Sequence, residues 1–117
     1  MKKMITVVET KAYLNIINGI WSEEERSEFL TYIAGNYTQG DIIQGTNGLR
    51  KIRWSRSGMG KRGGIRVIYY YYDETAPIFL LAAYAKSSQG NLTSQDKQVL
   101  SVFAEQLKKS IKSRRRD

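Results

Sequence analysis

Between Leu49 and Lys86 the chain offers three β-prone stretches in close succession: Leu49 to Ser55, Gly64 to Asp73, and Ile78 to Lys86. The first two are joined by the glycine-rich, basic segment Ser57 to Gly63, and the next two by Asp73-Glu74-Thr75-Ala76-Pro77. Parallel neighbours need a long crossover, so connections this short predict an antiparallel meander. The flanking segments must then cover that sheet.

Upstream, Ile5 to Val8 is a short β-branched run that predicts a first strand, and Tyr13, Leu14, Ile17 and Trp21 follow at helical spacing. Ser22-Glu23-Glu24-Glu25 has the form of a capping box with acids in the first turn, and Phe29, Leu30, Ile33 and Ala34 supply an apolar face. This second helix should stop near Gly35-Asn36. The pair Ile42-Ile43, bracketed by Gly40-Asp41 and Gln44-Gly45-Thr46-Asn47-Gly48, reads as a loop leading into the sheet. Downstream, Thr93-Ser94-Gln95-Asp96 caps a helix whose Val99, Phe103, Leu107 and Ile111 recur every four residues. The predicted order is β-α-α-β-β-β-α, an α+β domain with its helices packed on one side of a mostly antiparallel sheet.

A chain of 117 residues, 41% of them hydrophobic, suits one domain with a real core. We place that domain at residues 1–112 and treat 113–117 as a basic tail. No apolar run approaches the roughly 20 residues that span a bilayer, and Glu9 and Lys11 interrupt the start before a signal-peptide core develops, which predicts a cytoplasmic protein without membrane contact. The chain has no cysteine and no histidine. Thiolate or imidazole zinc sites, a Ser-His-Asp triad and a pair of catalytic histidines are thereby excluded, and neither a metal nor another cofactor is expected. Catalysis, if present, falls to Lys, Arg, Tyr or carboxylates.

The formal charge is +8, from 19 Lys plus Arg against 11 Asp plus Glu, and it predicts a polyanionic partner. Its distribution is uneven. Seven cations (Arg50, Lys51, Arg53, Arg56, Lys61, Arg62, Arg66) and no acid lie between Leu49 and Arg66, while acids gather at Glu23-Glu24-Glu25 and Glu28. Alternation along the first meander strand sends Ile52 and Trp54 to the core, with Lys51 and Arg53 on the other face. Tyr84 and Lys86 likewise share a face. Arg66 is the lone charge in an apolar strand, a position that asks for a partner or a ligand. The segment Gly58-Met59-Gly60-Lys61-Arg62-Gly63-Gly64 lacks the Ser or Thr, and the following helix, that a nucleotide-binding P-loop needs. Its Lys61 and Arg62, with Arg50 and Arg56, are expected to touch a phosphate backbone.

The stretches Gln44-Gly45-Thr46-Asn47-Gly48-Leu49-Arg50-Lys51-Ile52-Arg53 and Gly60-Lys61-Arg62-Gly63-Gly64-Ile65-Arg66-Val67-Ile68-Tyr69-Tyr70 carry a family resemblance, continued by Phe79-Leu80-Leu81-Ala82-Ala83-Tyr84-Ala85-Lys86 and the terminal helix. In these the chain resembles the RelE/HigB toxins, and in the central motif the HigB-like branch. The resemblance implies a RelE-like fold and a toxin of a type II toxin–antitoxin pair that enters the ribosomal A site and cleaves mRNA there. It also implies a cognate antitoxin, in this branch a HigA-like helix-turn-helix protein, which blocks the toxin and carries it to operator DNA. The basic strand residues of the family match Lys51 and Arg53, and its central-strand arginine matches Arg66. Where some members carry an arginine and then a tyrosine after the last strand, this chain has Ser87 and Leu92.

The residues fit such chemistry. Metal-free RNA cleavage needs a 2′-hydroxyl activated for in-line attack, a stabilised pentavalent phosphorus and a proton for the 5′-oxygen, and clustered Arg and Lys serve the second need. A lysine set among cations gives up its proton more readily, which makes Lys51 or Lys86 a candidate for proton transfer. Tyr84 is placed to stack on a base or to position a proton. Arg66, Lys51, Arg53, Lys86 and Tyr84 are the expected catalytic set. Two other classes use the same residues: a non-catalytic RNA-binding member of the fold, and a module whose basic face only receives an acidic antitoxin segment.

Overall fold

The computed structural model describes residues 3–55, 64–85 and 93–114. Among these the chain runs β1 (Val7–Glu9), α1 (Lys11–Ile17), α2 (Glu23–Gly35), β2 (Asp41–Ile42), β3 (Leu49–Ser55), β4 (Gly64–Tyr70), β5 (Ile78–Ala85) and α3 (Ser94–Arg114). The strands form one sheet in the order β1-β5-β4-β3-β2. The predicted meander is its centre, with β3 antiparallel to β4 and β4 to β5. β1 joins β5 in parallel, Val7 opposite Ile78, and β2 lies antiparallel on β3. The α+β class holds; β2 is an edge strand where the sequence suggested loop.

The helix starts are where the sequence puts them. Ser22 accepts from the Glu25 amide while the Glu25 carboxylate accepts from the Ser22 amide, a complete capping box, and Asn36 closes α2. Thr93 and Asp96 form the matching pair before α3, at 3.0 and 3.2 Å. α1 is shorter than its apolar spacing suggested: it ends at Ile17, and Trp21 is buried from the turn beyond. β4 stops at Tyr70 instead of Asp73 because its partner begins there, Leu49 opposite Tyr70, and Gly48 at φ 99° turns the preceding chain away.

The expectation that the helices share one side of the sheet is corrected by the packing. α1 and α2 cover one face, where Tyr13, Ile17, Phe29 and Ile33 meet Ile52, Ile65, Val67, Tyr69 and Leu80. α3 covers the opposite face, where Ala104 and Ile111, with half-buried Leu100, Phe103 and Leu107, meet Leu49, Ile68, Tyr70, Leu81 and Tyr84. β4 and β5 are buried and largely apolar on both faces, which a sheet covered on one side would not tolerate. A bulge assists: Ile68 faces Ala82 and Tyr69 faces Leu80, so the extra residue, Leu81, turns to the α3 side. Each large side chain so buried contributes roughly 1.5–3 kcal/mol.

Two polar devices fix the first layer. Arg26 of α2 donates to both carboxylate oxygens of Glu9 in β1, at 2.7 and 2.8 Å, and to Glu23 at 2.7 Å. The buried Tyr69 hydroxyl accepts from the Gly40 amide at 3.0 Å and donates to the Tyr37 carbonyl at 2.9 Å. Gly40 is required there, since a Cβ would lie 2.5 Å from that hydroxyl. Among the described residues, no helix is long and apolar enough to cross a membrane.

Candidate active site

Register decides what the strand charges do. Arg53 of β3 lies directly opposite Arg66 of β4, and Arg66 directly opposite Tyr84 of β5. The three therefore form one row across the sheet, on the face that α3 partly covers. Directly opposed side chains leave an antiparallel pair about 4.5–5.5 Å apart at Cβ. Lys51 stands on the same face one row along, opposite Ile68. Arg53 is exposed, while Lys51 and Arg66 are half-buried. Trp54, from the alternate face, packs on Phe29 and Tyr32 of α2 with ring centroids 5.4 and 5.0 Å apart, as the alternation predicted.

Like charges directly opposite destabilise a sheet. Among the described residues no carboxylate forms an ion pair with Lys51, Arg53 or Arg66; the ion pairs lie at Arg26, on the other face. Two guanidiniums held side by side without a counter-charge among the described residues make a ready seat for a phosphodiester, which accepts hydrogen bonds in the planar geometry that arginine donates. Tyr84 is 9% exposed beneath α3. Burial pushes its hydroxyl up from the ordinary tyrosine value, and Arg66 pulls the other way. Its hydroxyl keeps its proton at neutral pH.

Of the other residues singled out from the sequence, Arg50 is not brought to this row. It points to the α2 face, where its Nη1 donates to the carbonyls of Gly40 at 2.8 Å and Thr38 at 3.3 Å and its guanidinium lies over the Tyr71 ring. Arg56, Lys61, Arg62 and Lys86 lie outside the described residues. β4 does follow the glycine-rich segment directly, as expected for a loop that is not a P-loop. The α3 wall was missed, since it follows from tertiary packing. It borders a cleft of about 300 Å³ in which Asp96, Val99 and Leu100 face Ile68, Ala82 and Tyr84. No spacing rule reports that α3 and the cations share a face. The apolar content of both strand faces was the available signal.

A family model described as the RelE toxin of the RelE/RelB toxin–antitoxin system matches residues 27–114, from within α2 to the end of α3. The chain belongs to the RelE toxin family. It is therefore a toxin of a toxin–antitoxin system, with an antitoxin as its partner, and the Arg53-Arg66-Tyr84 row lies inside the matched region. In this RelE toxin the row is carried by three consecutive meander strands, so the backbone ladder itself spaces the groups.

Proposed function

We propose that this RelE toxin is a ribosome-dependent endoribonuclease that cuts mRNA in the ribosomal A site and so arrests translation. The observation that carries the proposal is the row of Arg53, Arg66 and Tyr84, two facing cations without a described counter-charge beside a buried phenol. Arg53 and Arg66 hold the non-bridging oxygens of the scissile phosphate and stabilise the charge that grows on them. The 2′-oxygen attacks phosphorus as its proton is removed, the P–O5′ bond breaks, and the 5′-oxygen takes up a proton. The products end in a 2′,3′-cyclic phosphate and a 5′-hydroxyl. Lys51 and Lys86 are the proposed proton-transfer groups, and Tyr84 positions a proton or stacks on a base. Arg56, Lys61 and Arg62 contact flanking phosphates. No step uses a metal or another cofactor.

A site of cations without histidine gains most when the substrate is delivered already oriented, and the ribosome supplies that orientation. The proposed antitoxin is a HigA-like helix-turn-helix protein that also brings the toxin to operator DNA, and the proposed compartment is the cytoplasm. The test is expression without antitoxin, then cleavage by purified protein on programmed ribosomes and on naked RNA. Growth arrest with transcripts cut inside coding sequence, and cleavage confined to ribosomes, is expected. Arrest with intact transcripts would instead indicate a binding protein, and normal growth at verified expression would remove the toxin activity altogether.

A further inference from the structure

The loop before β3 is built as a rigid post. Gly45 and Gly48 take φ 79° and 99°, and Asn47 between them takes φ 61°, a left-handed conformation that asparagine tolerates better than most residues. Thr46 is fully buried, its hydroxyl donating to the Ile43 carbonyl at 2.6 Å, and the Ile43 amide donates to the Leu49 carbonyl at 2.8 Å. From this post the Asn47 side-chain amide reaches α3, donating to Ser101 Oγ at 2.7 Å and to the Ser101 carbonyl at 3.1 Å.

Ser101 follows Leu100, one of the residues with which α3 walls the cleft over Tyr84. No residue of α3 before Ala104 is fully buried: Leu100 and Phe103 are half-buried, and Val99 and Val102 are 63% and 55% exposed. A polar tie to a fixed loop is therefore a large part of what sets where the first turns of α3 stand above the sheet. We propose that Asn47 is a positioning residue for the RNA-cleavage site, acting through Ser101 to hold α3 over Tyr84 and thereby to fix that end of the Arg53-Arg66-Tyr84 row.

The proposal rests on the cleavage function proposed above, and its test has a readout that does not. Asn47→Gly keeps the left-handed backbone and removes both donations. Asn47→Asp keeps the shape and cannot donate to the Ser101 carbonyl. Ser101→Ala keeps that carbonyl. Tyrosines labelled at Cζ are titrated by NMR in the full-length protein, with Tyr84 assigned through Tyr84→Phe, and single-turnover cleavage is measured on programmed ribosomes. In both Asn47 variants the Tyr84 midpoint should move down towards the ordinary tyrosine value as α3 uncovers the ring. The saturated cleavage rate should fall about 5- to 20-fold, with apparent ribosome affinity within about twofold of the parent, the signature of a displaced site in place of lost binding. Ser101→Ala should lie between parent and Asn47→Gly. A Tyr84 midpoint and saturated rate equal to the parent's in folded Asn47→Asp or Asn47→Gly would overturn the proposal. Should the parent itself not cleave, the catalytic function fails, and the Tyr84 titration still decides whether the tie holds α3.

Discussion

Arg66 stands opposite Arg53 on one side and Tyr84 on the other, so its replacement by alanine pulls stability and chemistry in opposite directions. Removing one of two facing cations relieves repulsion worth a few tenths of a kcal/mol up to about 1 kcal/mol, and β4 keeps Val67, Ile68 and Tyr69 in the core. Arg66→Ala should therefore melt at or slightly above the parental temperature. Its saturated single-turnover rate should fall roughly 100- to 1000-fold, the usual loss for one well-placed transition-state donor. A folded variant that cleaves at the parental rate would make Arg66 structural. Arg50→Ala should behave in the reverse way, because that guanidinium braces the carbonyls of Thr38 and Gly40. We expect a stability loss of about 1–2 kcal/mol in urea unfolding, with the saturated rate on ribosomes within threefold of the parent. The sequence distinguished Arg53 from its neighbours by alternation alone. The same alternation assigns Arg50 to the far face, and only the local charge density had grouped it with the RNA contacts.

At the scale of elements, the α2-to-β2 connection depends on β4 through one hydroxyl. Tyr69→Phe keeps the ring and leaves the Gly40 amide and the Tyr37 carbonyl without the partner each now has at 3.0 and 2.9 Å. A buried donor stripped of its acceptor costs about 1–3 kcal/mol, so urea unfolding should show a lower midpoint with an unchanged slope. A midpoint equal to the parent's would mean that water reaches the Gly40 amide. The run Tyr69-Tyr70-Tyr71-Tyr72 announced a packed aromatic strand, yet nothing in it marked Tyr69 as the one that ties two elements together. Capping boxes were legible because their donors and acceptors sit three residues apart. The strand register was not, since the bulge at Leu81 and the end of β4 at Tyr70 depend on partners far along the chain.

Across the whole molecule the tyrosines couple folding to alkaline pH. Burial raises the hydroxyls of Tyr13, Tyr69, Tyr70 and Tyr84 above their ordinary value of 10.0. Above that value the unfolded chain has released protons that the folded chain still holds, so stability falls as pH rises. Each such proton contributes about 1.4 kcal/mol per pH unit. The melting temperature should be flat for this group below pH 9 and drop between pH 10 and 12, and Tyr13→Phe should make that drop shallower. An equal slope in the variant would assign the alkaline loss to other groups. Fold class and element order were readable at this scale because local periodicity and short connections suffice for a meander. The placement of α3 opposite α1 and α2 was not, because helical stripes state that a helix packs and leave open which side of the sheet it takes.

The parallel pairing of β1 with β5 brings together segments separated by most of the chain, with Thr10 donating to the Leu80 carbonyl 70 residues away. A ribosome adds about 5–20 residues per second, so β1 waits roughly 4–14 s for the strand that completes it. Until then Val7 and Val8 form an exposed β-branched edge, and Tyr84, which belongs to the same late strand, is not yet made. The order of synthesis thus delays the Arg53-Arg66-Tyr84 row, the proposed cleavage site, until β5 has been made. On the function proposed above, no nascent chain carries the complete row before residue 84 has been added.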